Sequence, residues 1–255
     1  MKREIIDFHT HPFNDRSNSI CIYKSELDMN ANIMSEDMKR SGISRYCGSV
    51  ISKVGDGFEK EHISNVTAFK LRDELCGDYI PGIQINARHV DESCEEIDIA
   101  CSKGCVMVGE LVPYIYGWSY SDEGLRNILE HTRGKIELYS LHTMDFKDME
   151  RLAIDFPYVN FVFAHPGESD RIACHIDVMK RCDNVYLDLS GTGIFRYGML
   201  KHLVNEVGSE RILFGTDYPI CNPASYIHGV EYERISDREK ENIFSGNAKR
   251  ILGIN

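Results

Sequence analysis

Two histidines, His9 and His11, stand one residue apart at the end of an apolar, β-branched segment near the start of the chain. In an extended strand, residues i and i+2 point to the same face, so both imidazoles can meet one metal ion. Alone, this spacing is weak evidence, because partly exposed histidine pairs at strand ends are common. Their meaning therefore depends on which polar residues end the other strands.

Polar side chains end several other apolar segments of the chain. They are Glu110, His142, His165 and Asp217. Each has an ordinary explanation: the histidines as hydrogen-bonded surface groups, Asp217 as a turn residue before Pro219, and Glu110 as an ion-pair partner of Arg88. Burying a polar residue at the end of an apolar strand is costly unless it has partners. The joint pattern therefore favours one shared site over separate explanations.

The elements that would position these residues alternate regularly along the chain. Apolar segments predict strands at 4–8, 45–51, 79–86, 105–112, 136–141, 160–164, 185–189 and 211–215. Helical patterns or start signals lie near 35–38 and at 62–76, 91–102, 122–132, 146–156, 170–182 and 197–207, and a final helix runs from 236 to 252 with Gly246 and Gly253 as stops. This alternation is typical of βα units with a parallel sheet.

Eight such units predict a (β/α)₈ TIM barrel, with residues 1–255 as one domain. The alternative is an open, doubly wound sheet, against which stands the lack of a G-x-G-x-x-G turn after the first strand. The last four strands end near His142, His165, Asp188 and Asp217. In a barrel, the carboxyl ends of the strands form the working face, so the first candidates for a site are the strand-end residues His9, His11, Glu110, His142, His165 and Asp217.

Composition excludes several classes of partner. The 255 residues carry a formal net charge of −11, which disfavours nucleic acid and anionic membranes. No apolar run approaches the ~18 residues of a membrane span, and the segment after Met1-Lys2-Arg3 lacks the apolar stretch of a signal peptide. The nine cysteines are an odd number without C-x-x-C spacing, typical of reduced thiols. We therefore expect a cytoplasmic protein.

Four segments resemble, in order and spacing, the amidohydrolase-2 group of the amidohydrolase superfamily. They are IDFHTH (6–11), FAHPG (163–167), LFGTDYP (213–219) and GNAKRIL (246–252), and the resemblance extends from residue 4 to 253. The resemblance implies a (β/α)₈ barrel with one or two divalent metals. The group contains hydrolases of lactones and amides as well as nonoxidative decarboxylases such as aminocarboxymuconate-semialdehyde decarboxylase.

By position, the resemblance implies a role for each strand-end residue. His9 and His11 match the metal ligands of the first strand, and His142 matches the ligand of the fifth. Asp217 matches the last ligand, which also handles the proton of metal-bound water. His165 matches the catalytic sixth-strand histidine, which binds a second metal or orients water and substrate.

Glu110 lies where many members of the superfamily carry a bridging carboxylate on the fourth strand. Two metal ions fit if Glu110 bridges them, and one fits if it does not. Imidazole-rich ligand sets favour Zn²⁺, whereas a set richer in carboxylates suits Mn²⁺ or Fe²⁺. The expected cofactor is therefore a divalent metal, with Zn²⁺ preferred.

Three functions are compatible with this set of residues. The favoured one is hydrolysis of an ester, lactone or amide by metal-activated water, with Asp217 as the proton acceptor. It is preferred because decarboxylases of the group tend to be longer than this compact chain. The alternatives are a metal-dependent nonoxidative decarboxylase of a small carboxylic acid and a non-catalytic barrel that binds a metal or ligand.

Substrate contacts are expected from the loops that follow the strands. The candidates are Arg88 after the third strand, Tyr114 and Trp118 after the fourth, and Tyr218 after the eighth. The expected partner is a small-molecule substrate, and a homo-oligomer is compatible with the sequence. The blander alternatives are a surface ion pair for Arg88 and packing on the barrel rim for the aromatic side chains.

Overall fold

The structure is a computed structural model that describes residues 3–254, so the ends of the expected domain at residues 1, 2 and 255 lie outside the described residues. It contains one sheet of eight strands in sequential order, each parallel to the next. The strands are β1 (Ile6–Thr10), β2 (Arg45–Ser49), β3 (Tyr79–Ile83), β4 (Met107–Leu111), β5 (Leu138–His142), β6 (Asn160–Ala164), β7 (Val185–Asp188) and β8 (Ile212–Leu213). The eight predicted strands are confirmed.

The sheet curves until its two edges meet. The amide of Phe8 in β1 donates to the carbonyl of Phe214 (2.8 Å), just after β8. Beyond β8, the Asp217 amide donates to the His9 carbonyl (2.8 Å) and the His11 amide to the Tyr218 carbonyl (2.7 Å). These bonds join the first and last strands, so the predicted (β/α)₈ barrel is confirmed.

Helices connect the strands. They are α1 (Ala31–Ser41), α2 (Glu59–Glu74), α3 (Val90–Ser102), α4 (Pro113–Tyr116), α5 (Glu123–His131), α6 (Phe146–Asp155), α7 (Ser169–Arg181), α8 (Met199–Val207), α9 (Pro223–Tyr232), α10 (Asp237–Glu241) and α11 (Asn247–Leu252). A 3₁₀ turn spans Lys24–Glu26, and a π-helical turn spans Asn242–Gly246. Among residues 3–254, no helix combines the length and apolarity that crossing a membrane requires.

Three local predictions about helices need correction. The first helix begins at Ala31 rather than near residue 35, because the Asn30 side chain caps it by accepting from the Ile33 amide (3.1 Å). Gly246 does not stop the last helix, since it lies in the π-helical turn with a φ of −57°, whereas Gly253, at a φ of 66°, does end α11. Sequence analysis did not predict α4 and α9, whose first residues are prolines.

Candidate metal centre

The carboxyl ends of β1 and β4, together with the segment after β8, bring four side chains into one buried cluster. The His9 and His11 Nε2 atoms are 3.3 Å apart. Glu110 Oε2 lies 3.5 Å from His9 Nε2 and 3.3 Å from His11 Nε2. Asp217 Oδ1 lies 3.7 Å and 3.4 Å from the same two nitrogens. The i, i+2 spacing in β1 therefore aims both imidazoles at the same two carboxylates.

The second oxygen of Glu110 faces a different pair of histidines. Oε1 lies 3.1 Å from His142 Nδ1, at the end of β5, and 3.3 Å from His165 Nε2, just after β6. The carboxylate therefore stands between two pairs of imidazoles. The structure thus brings together all six strand-end residues that sequence analysis singled out.

Hydrogen bonds behind the cluster fix the orientation of the two β1 histidines. His9 Nδ1 lies 2.9 Å from Asp188 Oδ2, and His11 Nδ1 lies 3.0 Å from the Ser49 carbonyl. An imidazole that donates from Nδ1 presents the lone pair of Nε2 on its other side. Such outer partners are typical of metal-binding histidines, whose tautomer and ring orientation they set.

Backbone conformation shapes the site at His165 and Asp217. Both residues have left-handed backbone, with φ of 67° and 65°. This region costs a non-glycine residue about 1–3 kcal/mol and is concentrated at functional sites. Gly191 provides space, since a Cβ there would lie 2.3 Å from His165 Nδ1. The chain therefore accepts local strain to aim these two side chains.

Burial and neighbouring charges act in opposite directions on the pKa values of the cluster. Burial by itself would lower the pKa of His11, but the adjacent carboxylates of Asp217 (3.4 Å) and Glu110 (3.3 Å) overcome this and raise the pKa to about 9. Burial would raise the pKa of Glu110, yet the surrounding histidines hold it well below the usual range. The Glu110 carboxylate therefore stays charged and attracts cations, either protons on the imidazoles or a metal between the groups.

The residues present fit a divalent metal. Ligands that share an ion at bond lengths of about 2.0–2.1 Å lie about 3–3.4 Å from one another, close to most of the separations in this cluster. Asp217 Oδ1 is buried and accepts no hydrogen bond, which is costly unless a cation approaches it. Among residues 3–254, two groups have ligand atoms close enough for one ion, namely His9, Glu110 and His165, and His9, His11 and Asp217.

Sequence analysis missed two buried carboxylates that support the cluster. Asp188 ends β7 and bonds His9, and the sequence signal was its position at a predicted strand end. Asp7 accepts from the amides of His9 (3.1 Å) and Thr216 (3.0 Å), which ties β1 to the segment carrying Asp217. Burial raises the pKa of Asp7 to about 7, and these hydrogen bonds oppose the rise.

A buried amide, Gln84, connects the supports of two candidate ligands. Its Nε2 donates to the Ser49 hydroxyl (2.7 Å) and to the Glu110 carbonyl (2.6 Å), and the Ser49 hydroxyl donates to the same carbonyl (2.9 Å). The Ser49 carbonyl in turn accepts from His11. Gln84 therefore positions the backbone that carries Glu110 and the residue that orients His11, without reaching the cluster itself.

We expect Gln84→Met to weaken metal binding by about 10- to 100-fold, the usual cost of losing a group that orients a ligand. Methionine keeps the length of the side chain but donates no hydrogen bond. Metal affinity would be measured by calorimetry and the stability of the metal-free protein by circular dichroism. The matched control is Asn184→Ala. Asn184 comes directly before β7, at the end of the barrel opposite the cluster, and its side-chain amide donates to three backbone carbonyls there. Equal metal affinity in both variants would contradict this positioning role.

Two adjoining cavities open over the cluster and share His142, His165 and Asp217. The cavity that we call the polar arm has a volume of about 320 Å³. Its remaining lining residues are Thr143, Gly167, Arg171, Gly191 and Thr192. The apolar arm, of about 280 Å³, adds His11, Ile20, Ile51, Lys53, Glu110, Val112, Tyr114, Ile115 and Ile220. A small molecule in either arm would reach Asp217.

Of the four residues predicted to contact substrate, the structure brings Tyr114 to the apolar arm, where its ring lies 5.3 Å from that of His142. The other three lie outside the lining of both arms. Arg88 faces Asp122 (3.8 Å) in a loop, Trp118 is buried against Tyr120, and the Tyr218 hydroxyl donates to Asp37 (2.9 Å) in α1. The direction of a side chain in a loop depends on such distant partners, which the local sequence does not reveal.

Comparisons with known proteins agree with this geometry. A sequence model described as amidohydrolase matches residues 128–254. A curated relative, gamma-resorcylate decarboxylase of Polaromonas sp. (strain JS666 / ATCC BAA-500), is 36% identical over 73 residues, which are 29% of this chain. The matched segment spans 22% of the length of that relative. The match thus reaches only about a fifth of the relative.

Solved structures share the fold over nearly the whole chain. 2,6-Dihydroxybenzoate decarboxylase from Rhizobium superposes with a TM-score of 0.74 at 16% identity over 99% of both chains. 5-Carboxyvanillate decarboxylase from Novosphingobium aromaticivorans, in complex with manganese, gives a TM-score of 0.76 at 13% identity, covering 99% of this chain and 96% of the other. At such identities the likeness shows the fold.

The comparisons correct one prediction and confirm another. Hydrolysis was the favoured reaction, but the relative and the structural neighbours named here are decarboxylases, so that preference was wrong. The resemblance to the amidohydrolase-2 group is confirmed over residues 128–254, and among the described residues the expected divalent metal has two groups of side chains that could bind it. Residues 128–254 thus resemble the amidohydrolase family.

Proposed function

We propose that the chain is a metal-dependent nonoxidative decarboxylase of a small aromatic carboxylic acid. The observation that carries this proposal is the position of Asp217. Its buried Oδ1 has no hydrogen-bond donor, faces the β1 histidines, and belongs to a residue that lines both arms. A carboxyl group so placed can exchange a proton with a molecule held in either arm. The activities of the relative and the structural neighbours support the choice of reaction.

We infer a centre for two divalent ions. His9, His11 and Asp217 with Glu110 Oε2 would hold one ion, and Glu110 Oε1 with His142 and His165 would hold the other. When bound, the metal supplies positive charge that holds the oxygens of the substrate and stabilises negative charge near them. The imidazole-rich set favours Zn²⁺, whereas Mn²⁺, which one neighbour binds, would suit the carboxylates.

The reaction requires a proton at the ring carbon that bears the carboxylate. Asp217 would donate this proton, forming a C–H bond. The C–C bond to the carboxylate then breaks, its electron pair restores the aromatic ring, and CO₂ leaves. Water afterwards returns a proton to Asp217. His165, beside Asp217 in both arms, would orient the substrate carboxylate for this transfer.

The apolar arm would assist the reaction through the apolar side chains that line it. Aliphatic side chains, among them Ile51, Val112 and Ile220, line it together with the ring of Tyr114. A flat aromatic ring can bury its faces there, and water is displaced from the bond that breaks. Because CO₂ is neutral and the carboxylate is charged, a less hydrated environment favours the product side.

The remaining sequence-based expectations fit this proposal. We propose that residues 1–255 act as one barrel domain on a small-molecule substrate in the cytoplasm. Support comes from the continuous order of the eight strands and from the formal net charge of −11, which disfavours a polyanionic partner.

The test is a comparison of products from the purified, metal-loaded protein. We expect CO₂ release, with formation of the matching arene, from at least one acid in a panel of salicylate, 2,6-dihydroxybenzoate and 5-carboxyvanillate. Aryl esters and lactones of similar size form the comparison arm and are expected to stay intact. Elemental analysis of the same sample would give the metal content. A protein with full metal content that releases no CO₂ from any acid of the panel would overturn the proposal.

A further inference from the structure

We propose that the substrate carries a second anionic group, a carboxylate, which Arg171 binds in the polar arm. The inference rests on the proposed function for the identity of the reacting end. It adds that the substrate is a dicarboxylate rather than a simple aromatic acid. The polar arm, the contacts of Arg171 and the charge of the protein carry the inference.

The lining of the polar arm suits an anion and does not suit a hydrocarbon. It consists of polar side chains and two glycines, Gly167 and Gly191, and no aliphatic or Phe, Tyr or Trp side chain lines it among the described residues. The apolar arm, by contrast, is lined by several isoleucines. A ring in the apolar arm with its reacting group beside Asp217 leaves the polar arm for a different, charged part of the molecule.

Arg171 lines this arm, and most of its guanidinium N–H groups have no hydrogen-bond acceptor among the described residues. Its Nη1 donates to the Thr143 carbonyl (3.1 Å). Gly167 makes room for its side chain, because a Cβ there would lie 2.8 Å from Arg171 Cδ. Within residues 3–254, no carboxylate forms an ion pair with this guanidinium. The unused N–H groups can therefore bind a carboxylate in two-pronged geometry.

Charge explains why a dedicated cation is needed. The protein has a formal net charge of −11, so a dianion is repelled unless a local positive group attracts it. Arg196, near the same rim, is occupied by Glu168 (2.8 Å) and does not line either arm. Lys53 lines the apolar arm instead. Arg171 is therefore the cation placed to meet a charged group in the polar arm.

The experiment measures the binding of benzoate and of isophthalate to the metal-loaded protein by calorimetry. We expect the wild type to bind isophthalate more tightly than benzoate by about 10- to 100-fold, as a charge-assisted hydrogen bond at a bidentate site would give. Arg171→Ala should lose this preference while keeping its affinity for benzoate. Arg171→Lys should recover part of it. Arg196→Ala removes the same charge from the same rim and should keep the full preference.

Several outcomes would overturn the inference. Equal binding of the two acids by the wild type would show that the protein does not recognise a second carboxylate. A parallel loss of benzoate and isophthalate binding in Arg171→Ala would show that Arg171 holds the reacting carboxylate instead. If Lys53→Ala lost the preference for isophthalate and Arg171→Ala kept it, the second carboxylate would bind in the apolar arm instead. Since these readouts need no turnover, failure of the proposed decarboxylation would be recognised separately, by the absence of CO₂.

Discussion

Asp217→Asn is expected to lower the rate of CO₂ release by about 10²- to 10⁴-fold, the usual contribution of a positioned proton donor. Asparagine keeps the size and one oxygen of the side chain, so it can still approach a metal. Its amide cannot transfer a proton to the ring carbon at neutral pH. The measurement is kcat for CO₂ release together with the metal content of the same sample, so that loss of chemistry is separated from loss of metal.

The matched control for this substitution is Asp145→Asn. Asp145 caps α6 on the same side of the barrel, accepts from the amides of Lys147 and Asp148, and lines neither arm. Asparagine is also a good helix cap, so both stability and activity should stay near those of the wild type. If Asp217→Asn holds a full complement of metal and turns over at the wild-type rate, Asp217 is not the proton donor.

The parts of the site that could be predicted from sequence share one property. Each lies at the end of an apolar strand, as His165 does directly after β6, and strand 160–164 was predicted with its exact bounds. A polar residue in such a position needs a partner, so its presence is informative by itself. The parallel barrel then gathers these ends on one face, which makes a local signal sufficient to assemble the candidate ligands.

The parts that could not be predicted depend on contacts between distant segments. Asp188 and His9 are 179 residues apart in sequence, and the residues around Asp188 do not predict the hydrogen bond between the two. In the sequence, Gln84 is one polar residue just after a strand, yet its side chain donates hydrogen bonds to the Ser49 hydroxyl and the Glu110 carbonyl. Arg88, in contrast, had the right residue type for binding a carboxylate but turns toward Asp122. Loop direction is set by the fold around it.

The reaction was harder to predict than the ligands. Imidazoles and carboxylates around a divalent ion serve to activate water in some enzymes and to hold a substrate carboxylate in others, so the ligand pattern does not discriminate between them. The compact chain favours hydrolysis in the sequence analysis. That preference is contradicted because the curated relative and the structural neighbours named above are decarboxylases. The side chains that line the two cavities are a better guide to the reaction.

Glu110→Gln is expected to reduce the metal content from two ions to one and to abolish most CO₂ release. The carboxylate stands between two pairs of imidazoles and offers one charged oxygen to each. An amide offers a single neutral oxygen, so one ion loses its anionic ligand and the positive charge at the site is less well balanced. The measurement is elemental analysis after dialysis against a weak chelator, followed by titration with Zn²⁺ or Mn²⁺.

Glu96→Gln is the control for Glu110→Gln. Glu96 is also buried, but its oxygens bond Asn65 and His62 outside the cluster, so its loss should alter stability rather than metal content. Complete removal of metal from the wild type should abolish CO₂ release, and adding the ion back should restore it. Two tightly held ions in Glu110→Gln would show that Glu110 does not bridge. The histidine pairs, with Asp217 beside the pair of β1, would then hold their ions without a shared carboxylate.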